Sequence, residues 1–176
     1  IRDALLVVAG NLDKSTGGEH PFPDVNSWGF SQHAPFKAVY DHDQRSVYLM
    51  VQRQHKHPFL SLFDGPDPNA STPQRVNTTV PTQALYMLNS PFFHRQCEDF
   101  ARRLYRDHAT DQKRLEVAYE MAYGRLPASA ELASAQQFLR QYRRQLTDAD
   151  GETRELRLWS AYARILLASN EFLYVD

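Results

Sequence analysis

The chain is predicted to be mainly α-helical: an antiparallel bundle of four to five helices, with a long irregular N-terminal arm and at most a short strand pair. Three observations carry this. Apolar residues recur at three- and four-residue spacing through most of the chain after Pro81. The same region holds repeated helix-start signals, Val80-Pro81, Ser90-Pro91 and Thr110, in which a cap or a first-turn proline precedes the periodic run. Residues 11–40, in contrast, hold Gly17-Gly18, Pro21, Pro23 and Pro35 with no periodicity.

In order, Ile1, Ala4, Leu5 and Val8 share a helical face, and Gly10 suits the left-handed residue that closes a helix. The irregular segment follows. From Arg45 to Arg53 the side chains alternate, Val47, Leu49 and Val51 against Tyr48, Met50 and Gln52, which predicts a strand. Pro58 then opens a short apolar turn carrying Phe59, Leu62 and Phe63, ended by Asp64. Residues 1–62 thus read as an arm with an initial helix and a candidate strand. Residues 63–176 read as the helical core of one domain, the whole being a piece of something longer.

Within that core, Pro81 pre-sets a helix through Leu88, and Ser90 caps a second that runs to about Arg106 with Phe93, Cys97, Phe100, Ala101 and Leu104 inward. Thr110 caps a third, with Leu115, Ala118, Tyr119 and Ala122 inward and Gly124 closing it. A fourth begins at Ala128 or Ser129 and carries Leu132, Ala135, Leu139, Tyr142 and Leu146. After a loop centred on Gly151, a last helix from about Arg154 to Ser169 holds Leu156, Leu158, Trp159, Tyr162, Ile165, Leu166 and Leu167. These cover more than half its circumference and place it centrally in the bundle.

The 20 basic and 21 acidic residues nearly cancel and form no single-sign block, so a nucleic-acid partner is disfavoured. One cysteine excludes an internal disulfide and a cysteine-built metal site. Cys97, on an apolar stripe, reads as a packed small hydrophobe, and no Gly-x-Ser-x-Gly elbow is present. No apolar run reaches the roughly 20 residues of a membrane span.

The stretch from Phe63 to Pro91 imposes the most specific requirements. Asp64, Asp67 and Asn69 offer three oxygen ligands on one loop, too few for calcium without backbone carbonyls or a distant carboxylate; a loop of Asx turns and helix caps is the preferred reading. Arg75, Asn77, Thr78, Thr79 and Gln83 gather polar groups at a helix N-terminus, where an anion could sit. Alternatively, Arg75 pairs with Asp64 or Asp67 and fastens the loop. His55 and His57 would share a face on a strand and are the candidate metal pair, against a solvated pair flanking Lys56. Glu171 is a candidate partner for Arg125 or Arg164. Phe22, Trp28, Phe30, Phe36 and Tyr40 either stack on sugar rings or on another domain, or anchor the arm to its own core.

At RSVYLMVQRQ, FDGPDPNAS, RVNTTVPTQALYMLNSP, YEMAYGRLP and SNEFLYVD the sequence resembles the C-terminal planctomycete surface-domain family of unknown function. That domain accompanies cytochrome-c-like and cytochrome-associated domains in secreted bacterial proteins. The resemblance implies an extracytoplasmic setting, periplasmic or cell-surface, with a c-type haem on another domain. This chain has no Cys-x-x-Cys-His and so no such haem of its own. Members usually carry Thr or Ser where this chain has Ala128, with Ser129 available to cap one residue later.

The expectation is therefore a non-catalytic packing and interaction module of a cytochrome-linked protein. Its partners would be the other domains or subunits, with support of electron transfer or carbohydrate binding as its contribution. The competing class is an enzyme domain acting on carbohydrate or an anionic substrate at the Phe63–Gln83 loop. A solvent-open pocket with unpaired polar groups favours the enzyme; mutual pairing favours the module.

Overall fold

The computed structural model describes residues 1–18, 26, 41–51, 56–71, 80–147 and 150–174. Its helices are α1 Arg2–Ala9, α2 Pro58–Leu62, α3 Pro81–Asn89, α4 Pro91–Asp107, α5 Asp111–Tyr123, α6 Ser129–Gln145, α7 Gly151–Leu167 and α8 Asn170–Leu173. The protein is mainly helical, and among the described residues the β structure is limited to a single parallel bridge between Asp13 and Gln44. The chain divides into two compact units. One comprises residues 1, 3–11 and 87–176; the other, residues 2 and 12–86.

The first unit is a helix bundle. Helix α7 packs most extensively on α4 and also meets α5, α6 and α8. It buries Leu158, Trp159, Ala161, Tyr162, Ala163, Leu166 and Leu167, which fits its central place. Trp159 is fully buried, as are Phe93, Cys97, Phe100 and Leu104 of α4, Leu115 of α5 and Leu139 of α6. Residues 108–110 join α4 to α5; a connection so short between two packed helices makes them antiparallel neighbours. Caps fall where the sequence places them. Ser90 Oγ accepts from Phe93 N, Thr110 Oγ1 accepts from Lys113 N, and Gly10 and Gly124 close α1 and α5 at φ 84° and 71°.

Several expectations are corrected. Within the strand expected from Arg45 to Arg53, Ser46–Tyr48 instead forms a 3-10 turn with Leu49 N donating to Ser46 O. Alternation alone supplied no pairing partner, and an unpaired strand leaves its backbone groups unsatisfied. On α1 the buried face is Leu5, Leu6, Val8 and Ala9, whereas Ile1 and Ala4 are exposed. Helix α7 begins at Gly151, not Arg154, because Asp150 accepts from Thr153 N at 2.8 Å and caps it. Ser169 lies outside α7 and caps α8 through Phe172 N, and Ile165 is 51% exposed. Ser129 is the first residue of α6; Ala128 takes the cap position with no side-chain oxygen to offer.

The second unit is organised by aromatic packing around α2. Phe59 stacks on Phe63 at 4.5 Å between ring centroids, and Tyr86 meets both edge-on at 5.6 and 5.7 Å.

Candidate functional site

The predicted polar site begins where α2 ends. Asp64 takes the left-handed conformation at φ 54°, and Gly65 N donates back to Leu60 O at 2.6 Å, the six-to-one bond of a Schellman closure. A Cβ on Gly65 would stand 2.7 Å from both the oxygen and the Cβ of Leu60, so the motif's glycine is required by close approach. Asp64 is thereby a helix-closing residue.

Asp67 follows as the head of an Asx turn. Its Oδ1 accepts from Asn69 N at 2.9 Å, its carbonyl accepts from Ala70 N, and Lys56 Nζ lies 3.3 Å from Oδ2. The Asn69 backbone N–H, and after it the Lys56 ammonium, hold the Asp67 carboxyl below its ordinary value. Gln83 is 8% exposed and turned to framework duty. From the first turn of α3 its Oε1 accepts from Val80 N at 3.4 Å, while its Nε2 donates to Leu62 O at 3.0 Å. One amide thus satisfies an orphan donor before one helix and an orphan carbonyl at the end of another.

Asp64, Asp67, Asn69 and Gln83 are therefore close in sequence but serve different backbone tasks. Arg75, Asn77, Thr78 and Thr79 lie outside the described residues, and with them the expected pairing of Arg75. His55 also lies outside them. His57 is not solvated: it is 8% exposed and its Nε2 meets Asp41 Oδ1 at 2.8 Å. Asp41 was not anticipated, because nothing in the local sequence signals a partner sixteen residues away. Among the described residues, no three His, Cys, Asp or Glu groups converge as a metal site. The five aromatics of the arm, Phe22, Trp28, Phe30, Phe36 and Tyr40, lie outside the described residues.

In the helical unit the charged groups form cross-helix clamps. Arg125 reaches Glu131 with Nη1 and Nη2 at 2.8 Å each, and Glu171 with Nε at 2.6 Å and Nη2 at 2.8 Å. Of the two partners considered for Glu171, Arg125 takes it. The Arg125 guanidinium, and after it the Ala128 N–H, lower the Glu131 carboxyl to about 2. Arg143 bridges Glu155 at 2.7 and 2.6 Å to Asp111 at 2.9 Å. Arg114, nearly buried, pairs with Asp111 and lies 4.5 Å over the Tyr105 ring. The signal for the Arg143 clamp was present as an acidic first turn on α5 and a basic last turn on α6, but no rule of sequence separation joins them.

Cys97 is fully buried, and burial pushes its thiol up to about 12, so it is held as a thiol rather than a nucleophilic thiolate at neutral pH. Asn11 Nδ2 donates to both Gln96 Oε1 and Asp99 Oδ2 at 2.8 Å, tying the end of α1 to α4. Among the described residues no helix is long and apolar enough to cross a membrane.

No curated protein and no solved structure matches the chain. The family described as "PSD1: Protein of unknown function (DUF1553)" matches residues 1–139, which take in α1 to α5, the central loop and most of α6. With about four fifths of its length matched, the chain belongs to the PSD1 (DUF1553) family of proteins of unknown function.

Proposed function

We propose that this chain is a non-catalytic packing and interaction module of an extracytoplasmic, cytochrome-c-linked bacterial protein, holding neighbouring domains in place around a haem that another domain carries. The observation that most supports the module reading is the use of the central loop's described polar groups. Asp64 closes a helix, Asp67 heads an Asx turn beside Lys56, and Gln83 satisfies two backbone groups. The Asp67 carboxylate and the Gln83 amide are thus engaged by the fold, where a substrate site would keep convergent groups open to solvent. The cytochrome link and the extracytoplasmic setting rest on the resemblance carried by the central motif. Carbohydrate is the ligand class the surrounding protein would bring to such a module.

Cross-linking of the native full-length protein tests this reading. Links should join lysines of this chain to the haem-bearing domain, and the 176-residue chain alone should turn over none of a panel of polysaccharides and glycosides. A turnover carried by the chain alone and abolished by Asp67→Ala or Arg75→Ala, with melting unchanged, would replace the module by an enzyme acting at the Phe63–Gln83 loop.

A further inference from the structure

An open cleft of about 450 Å³ lies on the helical unit, floored and walled by α4, α6 and α7. Its volume falls in the range of small-molecule sites. The face of α7 that borders it carries Arg157, Ser160 and Arg164, at the three- and four-residue steps that align side chains along one side of a helix. Tyr142 of α6, Leu146 just beyond its end and Leu156 of α7 add apolar surface to the same cleft.

The cleft's charge is unbalanced. Three guanidiniums line it against the single carboxylate of Glu98. Arg102 is already matched, by Glu98 at 3.6 Å and by Asp99. Arg157 has no hydrogen bond or ion pair among the described residues. Arg164 donates to His94 Nδ1 at 3.4 Å and has no carboxylate partner among them. This contrasts with Arg125 and Arg143 of the same unit, each clamped between two carboxylates. Two guanidiniums without a bonded carboxylate, Arg157 with only the longer-range charge of Asp150 near it, beside an apolar surface favour a ligand that brings both missing parts.

We propose that this cleft binds a small organic anion, its acidic group held by Arg157 and Arg164 and its ring or hydrocarbon body resting on Tyr142, Leu146 and Leu156. The hydroxyl of Ser160, between the two arginines on α7, donates to a polar substituent of that ligand. An anion lacking the body forgoes burial of the apolar surface, and a neutral analogue leaves the guanidiniums without their counter-charge. The proposal stands apart from the module reading, because none of these residues belongs to the central loop.

Calorimetric titration of the 176-residue chain with benzoate, cyclohexanecarboxylate, benzyl alcohol and inorganic phosphate tests it. The two carboxylates should bind saturably, with Kd of about 0.1–1 mM, and more weakly as salt rises. Benzyl alcohol and phosphate should bind about tenfold more weakly, and Arg157→Gln or Arg164→Gln should weaken benzoate about tenfold. Arg102→Gln should change benzoate affinity by less than about twofold, since that guanidinium is already paired. Arg157 is exposed, so its replacement leaves the fold intact, which circular dichroism checks. Absence of saturable binding up to about 10 mM, phosphate binding as tightly as benzoate, or full benzoate affinity in the Arg157→Gln/Arg164→Gln double variant would each overturn the proposal.

Discussion

Ala128→Ser should stabilise the helical unit, because the structure already contains half of a capping box. Ala128 sits at the N-cap of α6 with φ −66° and ψ 159°, the extended conformation that a capping serine adopts. Its own N–H donates to Glu131 Oε2 at 2.7 Å, so the return arm from the third helical residue is in place. The forward arm is missing, since an alanine methyl cannot accept from Glu131 N. Ala128 is exposed, so a hydroxyl can be added without disturbing the core. Replacing alanine by serine at such a cap contributes about 1 kcal/mol. For a chain of this size that raises Tm by about 2–4 °C. Thermal and urea melts followed by circular dichroism would read it, with an unchanged urea slope showing that the unfolded state is not the source. Ala128→Val, which adds bulk but no acceptor, is the control. A serine variant that melts at or below the parent, or no higher than the valine variant, would refute the cap assignment.

Other expectations follow from the same clamps and closures. Glu131 has a folded pKa near 2 against its ordinary 4.5, so its contribution is complete above about pH 4.5 and is lost as pH falls toward 2. Asp150, lowered first by the Thr153 backbone N–H, shifts the same way, and Glu131→Gln should flatten the acid limb of a stability–pH profile. Gly65→Ala should cost about 1–3 kcal/mol, because its Cβ meets Leu60 at 2.7 Å, and a urea titration reads the loss. Arg143→Met strands Glu155 and leaves Asp111 to Arg114 alone, and should destabilise by about 1–3 kcal/mol. The lower half of that range is expected, since Arg143 retains 31% of its side-chain exposure, and a double-mutant cycle with Glu155→Gln should show the coupling.

The helical part of the fold was legible because its signals are local. Ser90 before Pro91, Thr110, and Gly124 mark helix ends through bonds that span no more than four residues, and the stripe Phe93, Cys97, Phe100, Leu104 follows one helix face. Where sequence reading failed, a local pattern had more than one physical outcome. The alternation around Val47, Leu49 and Val51 fits a strand but cannot supply a neighbour, and the described chain turns instead. In Asp-Gly at 150–151 the glycine suggested a loop, yet the aspartate is a cap and the glycine the first helical residue. The candidate site was legible only as a set of residue types. That Gln83 would reach Leu62 O, or that Asp41 would meet His57, depends on tertiary placement that composition does not encode. The cleft escaped altogether, because its arginines read as an ordinary solvated helix face and its Tyr142, Leu146 and Leu156 as parts of core stripes, and only tertiary packing brings the two sets together.

The proposed cytochrome-linked role places a haem on another domain of the full-length protein. Intact mass and the visible spectrum of the native full-length protein, purified from its source, test it most directly. The account predicts a mass well above the 20.3 kDa of this chain together with a Soret band. A colourless protein of about that mass would contradict the cytochrome-linked role.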